Sequence, residues 1–207
     1  MRRSSKNQRR ALRGWQSGRG CLGRTMRAGG AFALAALLWP PCVSGQGTSE
    51  YQVKAAFLFN FGKFVEWPQA SYASAKSPFS ICVLGEDPFG AALDQTLHGK
   101  VIADRQVSVL RTKDAASAQH CQIVFVSSSE KSHLATTFAS FRGSNALLVG
   151  ETDGFAASGG AIQFTLEDNH IRFAINPDAI RRAGLQVSSQ LLALAKIVRD
   201  ERSGGKT

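Results

Sequence analysis

Four histidines are the side chains best suited to acid–base or metal chemistry, and their spacing favours neither. They are His98, His120, His133 and His170. Residues 46–207 also lack the GxSxG, HExxH, GxGxxG and Walker-type patterns of common catalytic and phosphate-binding sites. The adjacent carboxylates of Glu86 and Asp87 suit helix capping better than general acid–base catalysis. We therefore predict no catalytic residue, no metal site and no cofactor.

Polar side chains follow three apolar segments that we predict to be parallel strands, Phe79–Gly85, Cys121–Val126 and Asn145–Gly150. Ligands of open α/β sheets bind in the crevice at the carboxyl ends of the strands, and serines at a helix start offer donors to an anion. Two interpretations remain open, a small-ligand crevice or ordinary helix capping and tight turns. The side chains concerned are Glu86, Ser127, Ser128 and Glu151.

Two cysteines, Cys82 and Cys121, remain once the first 45 residues are set aside. Neither belongs to a CxxC motif, which argues against zinc binding and thioredoxin-like chemistry. Cys82 lies in the first predicted strand and Cys121 opens the third, and these two strands are commonly neighbours in a doubly wound sheet. Neighbouring strands are about 4.8 Å apart, close to the Cα separation of a disulfide. We expect a Cys82–Cys121 disulfide, with two separately buried thiols as the alternative.

The elements that position these residues alternate between strand and helix. A further strand is predicted at Gln106–Arg111, and helices follow strands at about Phe89–Leu97 and between Ser127 and Phe141. This order predicts an α/β fold with three layers, a mostly parallel sheet flanked by helices, and a C-terminal β-hairpin and helix.

The two ends of the folded part have their own patterns. Tyr51–Pro68 has helical periodicity with an apolar face over about half of its circumference, and its proline ends the helix. We expect this helix to pack on the sheet, and a partner-facing role for Phe59 is the alternative. Alternating residues in Ala161–Glu167 and His170–Ile175 predict a hairpin. A last helix begins at Ser188, and its apolar residues recur at helical spacing as far as Val198.

Almost all of the excess positive charge belongs to the N-terminal segment. Residues 1–45 hold nine Lys or Arg and no acid, so the remaining 16 basic and 15 acidic residues leave a net charge of +1. A nearly neutral body lacks the basic surface that tracks nucleic-acid phosphates. We therefore predict no nucleic-acid partner.

The N-terminal segment has the features of an export signal. Ala31–Trp39 is an apolar run too short to span a bilayer, and small residues before Gly45 indicate cleavage near that position. Met26 begins a signal of ordinary length, so we expect it to be the true start. A folded domain is predicted over 50–199 and a disordered tail over 200–207.

Short motifs along the predicted domain resemble those of a known family. An apolar helix runs into the pattern F-x-x-W-P at Phe64–Pro68. ICVLGEDP at Ile81–Pro88 and LLVGETDGF at Leu147–Phe155 follow, and then the hairpin Gly160–Pro177 and the segment Ala183–Leu192. In their order and spacing these motifs resemble the YfiR-like family of periplasmic proteins.

The resemblance implies a non-enzymatic brake on signalling. A member would bind the periplasmic region of an inner-membrane GGDEF protein or sensor kinase, hold a diguanylate cyclase off, and keep cyclic di-GMP low. An outer-membrane-associated release partner and a homodimer are further expectations. The matching motifs place the partner surface at Phe155, Glu167, Ile171 and Gln190. Phe155 lies in a Gly-rich loop, where we expect little local packing for a large aromatic, and a core position beside Phe173 is the alternative for Ile171. The alternative function is a periplasmic small-ligand carrier or sensor.

Overall fold

The computed structural model describes residues 46–200, so the predicted export signal and all but the first residue of the predicted tail lie outside the described chain. The α-helices in this part are α1 (Gln46–Phe64), α2 (Ala91–Leu97), α3 (Ala115–Ala118), α4 (Leu134–Ser140), α5 (Pro177–Arg182) and α6 (Ser189–Ala193). The strands are β1 (Val65–Glu66), β2 (Phe79–Leu84), β3 (Val101–Ile102), β4 (Arg105–Thr112), β5 (Ile123–Val126), β6 (Leu147–Gly150), β7 (Ile162–Glu167), β8 (His170–Ile175), β9 (Gln186–Val187) and β10 (Lys196–Ile197).

Eight strands form one mixed sheet in the order β10-β8-β7-β6-β5-β2-β4-β3. The five central strands β7, β6, β5, β2 and β4 run parallel to one another. At the two sides of this group, β8 runs antiparallel to β7 and β3 runs antiparallel to β4. A separate antiparallel ladder joins β1 to β9. The predicted α/β class, the mostly parallel sheet and the C-terminal hairpin are therefore confirmed.

Both faces of the central strands are buried, which explains their continuous apolar runs. Along β2, Ile81 and Val83 join one apolar cluster, whereas Cys82 and Leu84 join a second cluster on the opposite face. Side chains of α1, α2 and α5 belong to the first cluster, and those of α3 and α4 pack on the second. The sheet is thus the middle of three layers.

Two helices end earlier than their periodicity predicts. The prediction that the first helix runs to Pro68 is wrong, because Val65 and Glu66 leave α1 to pair with Val187 and Gln186 of β9. The predicted last helix also ends at Ala193, because the residues of β10 pair in parallel with β8. In both places, hydrogen bonds to a distant strand replace a further helical turn.

The predicted disulfide is present in the structure. Cys82 lies within β2, Cys121 lies two residues before β5, and the two strands are parallel neighbours. Their Cα atoms are 6.0 Å apart, within the range that a disulfide requires. Both residues are buried in the second cluster, so the bond ties two central strands together inside the protein.

Candidate partner-binding site

One of the four predicted partner residues is not at the surface. Phe155 is completely buried, and its ring packs edge-on against Phe138 with 5.2 Å between the ring centroids. Two glycines make room for the ring: a Cβ on Gly160 would lie 2.1 Å from Phe155 Cε1, and one on Gly150 would lie 2.7 Å from Phe155 Cδ2. The expectation that this aromatic lacks local packing is wrong, because the missing glycine side chains create its pocket.

Two other predicted residues lie on the hairpin. Its tip, Asp168–Asn169, has positive φ at both positions, as a tight two-residue hairpin turn requires. Glu167 is exposed beside this tip. Ile171 pairs with Leu166 and is only partly buried, packing against the rim of the first apolar cluster. The hairpin therefore places both Glu167 and Ile171 near its tip at one end of the sheet, with Glu167 on the opposite face from Ile171.

The fourth predicted residue, Gln190, is exposed on the short helix α6. Ser188 caps this helix, because its hydroxyl accepts a hydrogen bond from the backbone N–H of Leu191 at 3.3 Å. The chain then continues through Leu194, which is 74% exposed, into β10, where Ile197 is 48% exposed. Gln190 is thus followed by two exposed apolar side chains on the way to the strand beside β8.

Exposed apolar side chains and an uncovered strand edge occur together here. Paired residues of neighbouring strands share a face, so the Leu166–Ile171 and Ile175–Ile197 pairs lie on the same face of the sheet. β10 pairs only with Ala174 and Ile175, which leaves the outer edge of β8 near Ile171 without a partner strand among residues 46–200. We call this surface the C-terminal edge. It comprises Leu166, Glu167, Ile171, Gln190, Leu194 and Ile197.

Glu151, one of the four residues of the predicted ligand crevice, belongs to an ion-pair network with residues of α1. Glu151 follows β6, and its carboxylate accepts hydrogen bonds from Lys54 Nζ at 2.7 Å and from the Tyr51 hydroxyl at 3.2 Å. Burial alone would lower the pKa of Lys54, but its hydrogen bonds to Glu151 and Glu50 outweigh burial and raise that pKa. Burial and the nearby Glu151 raise the pKa of Tyr51, which keeps its hydroxyl protonated.

Of the two serines in the predicted crevice, Ser127 is placed as a helix cap. Ser127 is buried, and its hydroxyl accepts a hydrogen bond from the N–H of Ser129 at 3.4 Å. Ser129, outside the four predicted side chains, accepts from the N–H of Glu86 at 3.0 Å. Ser128 and Glu86 are exposed. These contacts favour the capping interpretation for Ser127, and a ligand crevice at these residues stays a prediction.

One residue has a larger role than its sequence pattern indicated. The Asn-Pro pair predicts that Asn176 caps α5, and its side-chain oxygen does accept from the N–H of Asp178 at 3.0 Å. Its side-chain nitrogen also donates to Ala156 O at 2.7 Å and to Asp200 Oδ1 at 2.6 Å. Asn176 therefore joins three segments, and the two long-range bonds have no signal in the local sequence.

The fold is that of an α/β protein whose C-terminal edge combines exposed apolar side chains with an unpaired strand edge. Among residues 46–200, no group of three or more His, Cys, Asp and Glu side chains is arranged to hold a metal ion. None of the helices in this range has both the length and the hydropathy of a bilayer-spanning segment. The YfiR/HmsC-like family model (DUF4154) matches residues 51–196. The chain belongs to the YfiR/HmsC-like family.

Similarity to individual proteins is weaker. No curated protein matches the chain. A conserved domain protein from Vibrio cholerae O1 biovar El Tor is 10% identical with a TM-score of 0.44, over 57% of this chain and 54% of that one. The ABC domain from Streptococcus pneumonia in complex with L-Trp is 12% identical with a TM-score of 0.43, over 57% and 55%. The chain thus spans little more than half of each of these two structures.

Proposed function

We propose that this chain is a non-enzymatic periplasmic protein that binds the periplasmic sensor region of an inner-membrane signalling protein. The favoured partner is a diguanylate cyclase, whose GGDEF output would be held off so that cyclic di-GMP stays low. The observation that carries the proposal is the family match over residues 51–196, because the YfiR-like family is one of periplasmic regulators of such cyclases. A sensor kinase is the second partner class.

The C-terminal edge supports this proposal as the contact surface. Leu194 at 74% and Leu166 at 58% have the largest exposed fractions among the large apolar side chains of residues 46–200. Exposed apolar side chains grouped beside an open strand edge are typical of protein-binding surfaces. A brake of this kind acts by binding one state of the cyclase more tightly than the other, which shifts the population toward the inactive state.

The test replaces exposed leucines of the C-terminal edge with aspartate. Leu194→Asp and Leu166→Asp should each lower capture of the cyclase from solubilised membranes by about tenfold or more, as loss of an interface anchor does. Cyclic di-GMP in the cell should rise in parallel. The matched control is Leu110→Asp, since Leu110 is also an exposed leucine, 42% exposed, but lies on β4 toward the other end of the sheet.

All three variants should keep the melting temperature of the parent protein within a few degrees, because the substituted side chains are exposed. Equal capture by the two edge variants and the parent would reject the C-terminal edge as the contact surface. Failure of the parent protein to capture any GGDEF protein or sensor kinase would reject the proposed function itself.

A further inference from the structure

A groove of about 870 Å³ is lined by residues of α4 and α5. Leu148 of β6 and Ala161, which lies just before β7, form its floor. Phe138 and Leu134 of α4 form one wall, and Ala179 of α5 with the following Ala183 forms the other. The volume lies within the range of small-molecule sites, which are usually lined by apolar side chains with a few polar groups.

Tight packing and small side chains keep the groove open. The ring of Phe138 is fixed by its edge-on contact with the buried Phe155. Gly159 stands between the two walls, because a Cβ there would lie 3.7 Å from Phe138 Cδ2 and 4.0 Å from Arg182 Nη2. Its φ of +125° also favours glycine over residues with a side chain. The shape of the groove is therefore held by the Phe138–Phe155 contact and by the absence of a side chain at Gly159.

The charged side chains that line the groove are mostly basic. Lys131, Arg142 and Arg182 carry positive charge, and Asp200 is the acid among the lining residues. Arg182 forms an ion pair with Asp200, which also accepts a hydrogen bond from Asn176. Lys131 and Arg142 form no ion pair with any carboxylate of residues 46–200. Two cations at the groove are thus available to a ligand.

We propose that this groove binds a small amphiphilic anion, with an apolar body on the floor and a carboxylate, sulfonate or phosphate group that pairs with Arg142 or Lys131, the cations beyond the two ends of α4. The apolar floor matches the body of such a ligand, and the basic excess matches its charge. The chain's own residues 201–207, with the sequence ERSGGKT, match the floor poorly because they include no large apolar side chain. The inference does not depend on the proposed function.

The test uses two fluorescent probes that differ by one charge. 8-Anilinonaphthalene-1-sulfonate carries a sulfonate, and N-phenyl-1-naphthylamine has the same rings without it. Titration of the full-length folded protein should show saturable binding of both probes, with tighter binding of the sulfonate. A double variant, Lys131→Gln with Arg142→Gln, should weaken the sulfonate probe roughly three- to tenfold, as expected for exposed charge pairs. It should leave the uncharged probe unchanged.

A second pair of variants locates the site. Ala135 lines the groove from an exposed position on α4, so Ala135→Trp should fill it and remove saturable binding of both probes. Ala139 is exposed on the same helix outside the groove lining, so Ala139→Trp should bind both probes as the parent does. Melting temperatures measured alongside should show that every variant is folded.

Three results would overturn the proposal. The first is the absence of saturable binding, and the second is equal binding by the two tryptophan variants. The third is binding that appears only when residues 201–207 are removed, which would assign the groove to the tail of the chain. Sulfonate binding that is indifferent to Lys131 and Arg142 would contradict the assignment of these two cations as the anion site.

Discussion

At the scale of single residues, Phe155 depends on two positions that carry no side chain. Gly160→Ala should destabilise the protein by about 1–3 kcal/mol, because a Cβ 2.1 Å from Phe155 Cε1 forces the ring or the strand to move. Urea unfolding followed by circular dichroism measures the loss. The matched variant Gly99→Ala tests a glycine with open space around it, so its cost comes from its positive φ alone.

A double-mutant comparison tests whether the Phe155 ring clashes with a side chain at position 160. Phe155→Leu replaces the ring with a smaller side chain. In the Gly160→Ala background it should lower the free energy of unfolding by less than it does in the parent protein, because the smaller side chain relieves the clash. Additive effects of the two substitutions would show that the ring and the glycine do not interact.

Lys54 gives a prediction about pH. It is 5% exposed in α1, and its pKa is raised above the ordinary value of 10.5. A raised pKa in the folded state means that the ion pair's contribution is complete below about pH 10 and is lost as pH rises through the folded pKa. Lys54→Met should therefore lower stability by about 3 kcal/mol at pH 8, since it leaves Glu151 without its cation.

The difference between Lys54→Met and the parent protein should narrow at pH 11, when urea unfolding is measured at both pH values. Lys63→Met is the control, because Lys63 is an exposed lysine on the same helix. An equal difference at pH 8 and pH 11 would show that the charge of Lys54 does not contribute.

The contacts of Lys54 and Phe155 could not be predicted from the sequence. Lys54 breaks the apolar arc of the first helix, which marks it as unusual, but its partner Glu151 is 97 positions away. The position of Phe155 in a Gly-rich stretch predicts an exposed loop, whereas the structure uses Gly150 and Gly160 as space for the ring. Residues so far apart in sequence come into contact only when the sheet has assembled.

At the scale of elements, long apolar runs were predictable and two-residue strands were not. β2 and β5 are recognisable because burial on both faces requires uninterrupted apolar residues. β1, β9 and β10 contain two residues each, too few for any periodicity. Their conformation comes from the strand that they meet, so the ends of α1 and α6 could not be predicted from local sequence.

The disulfide joins two elements, β2 and the start of β5. It closes a loop of 39 residues, and the chain-entropy estimate of its stabilisation is about 4 kcal/mol. Replacing both cysteines by alanine should lower the free energy of unfolding by about this amount or more, since two buried side chains also become smaller.

Thiol labelling checks the bond directly. Alkylation of the denatured protein without reductant should label neither Cys82 nor Cys121, and prior reduction should make both reactive. Labelling of both cysteines without reductant would show two separate thiols. It would leave the strand order intact, because β2 and β5 are paired by backbone hydrogen bonds.

At the scale of the whole molecule, the N-terminal segment and the folded body have different predicted fates. Residues 1–45 hold nine basic residues and an apolar run, and the family match begins at residue 51. We expect export with cleavage near Gly45. Intact-mass spectrometry of the periplasmic fraction should find a chain that begins near Gln46. Recovery of the uncleaved chain from the cytoplasm would contradict the periplasmic part of the proposed function.

The bond between Cys82 and Cys121 also determines what a protease can separate. The segment that it encloses includes the trypsin sites Lys100, Arg105, Arg111 and Lys113. One cut at any of these sites leaves two fragments that stay covalently attached, whereas one cut after Arg142 divides the chain into two pieces. In an oxidising compartment, a molecule cut between Cys82 and Cys121 therefore stays covalently whole, and a reducing gel separates fragments that a non-reducing gel shows as one band.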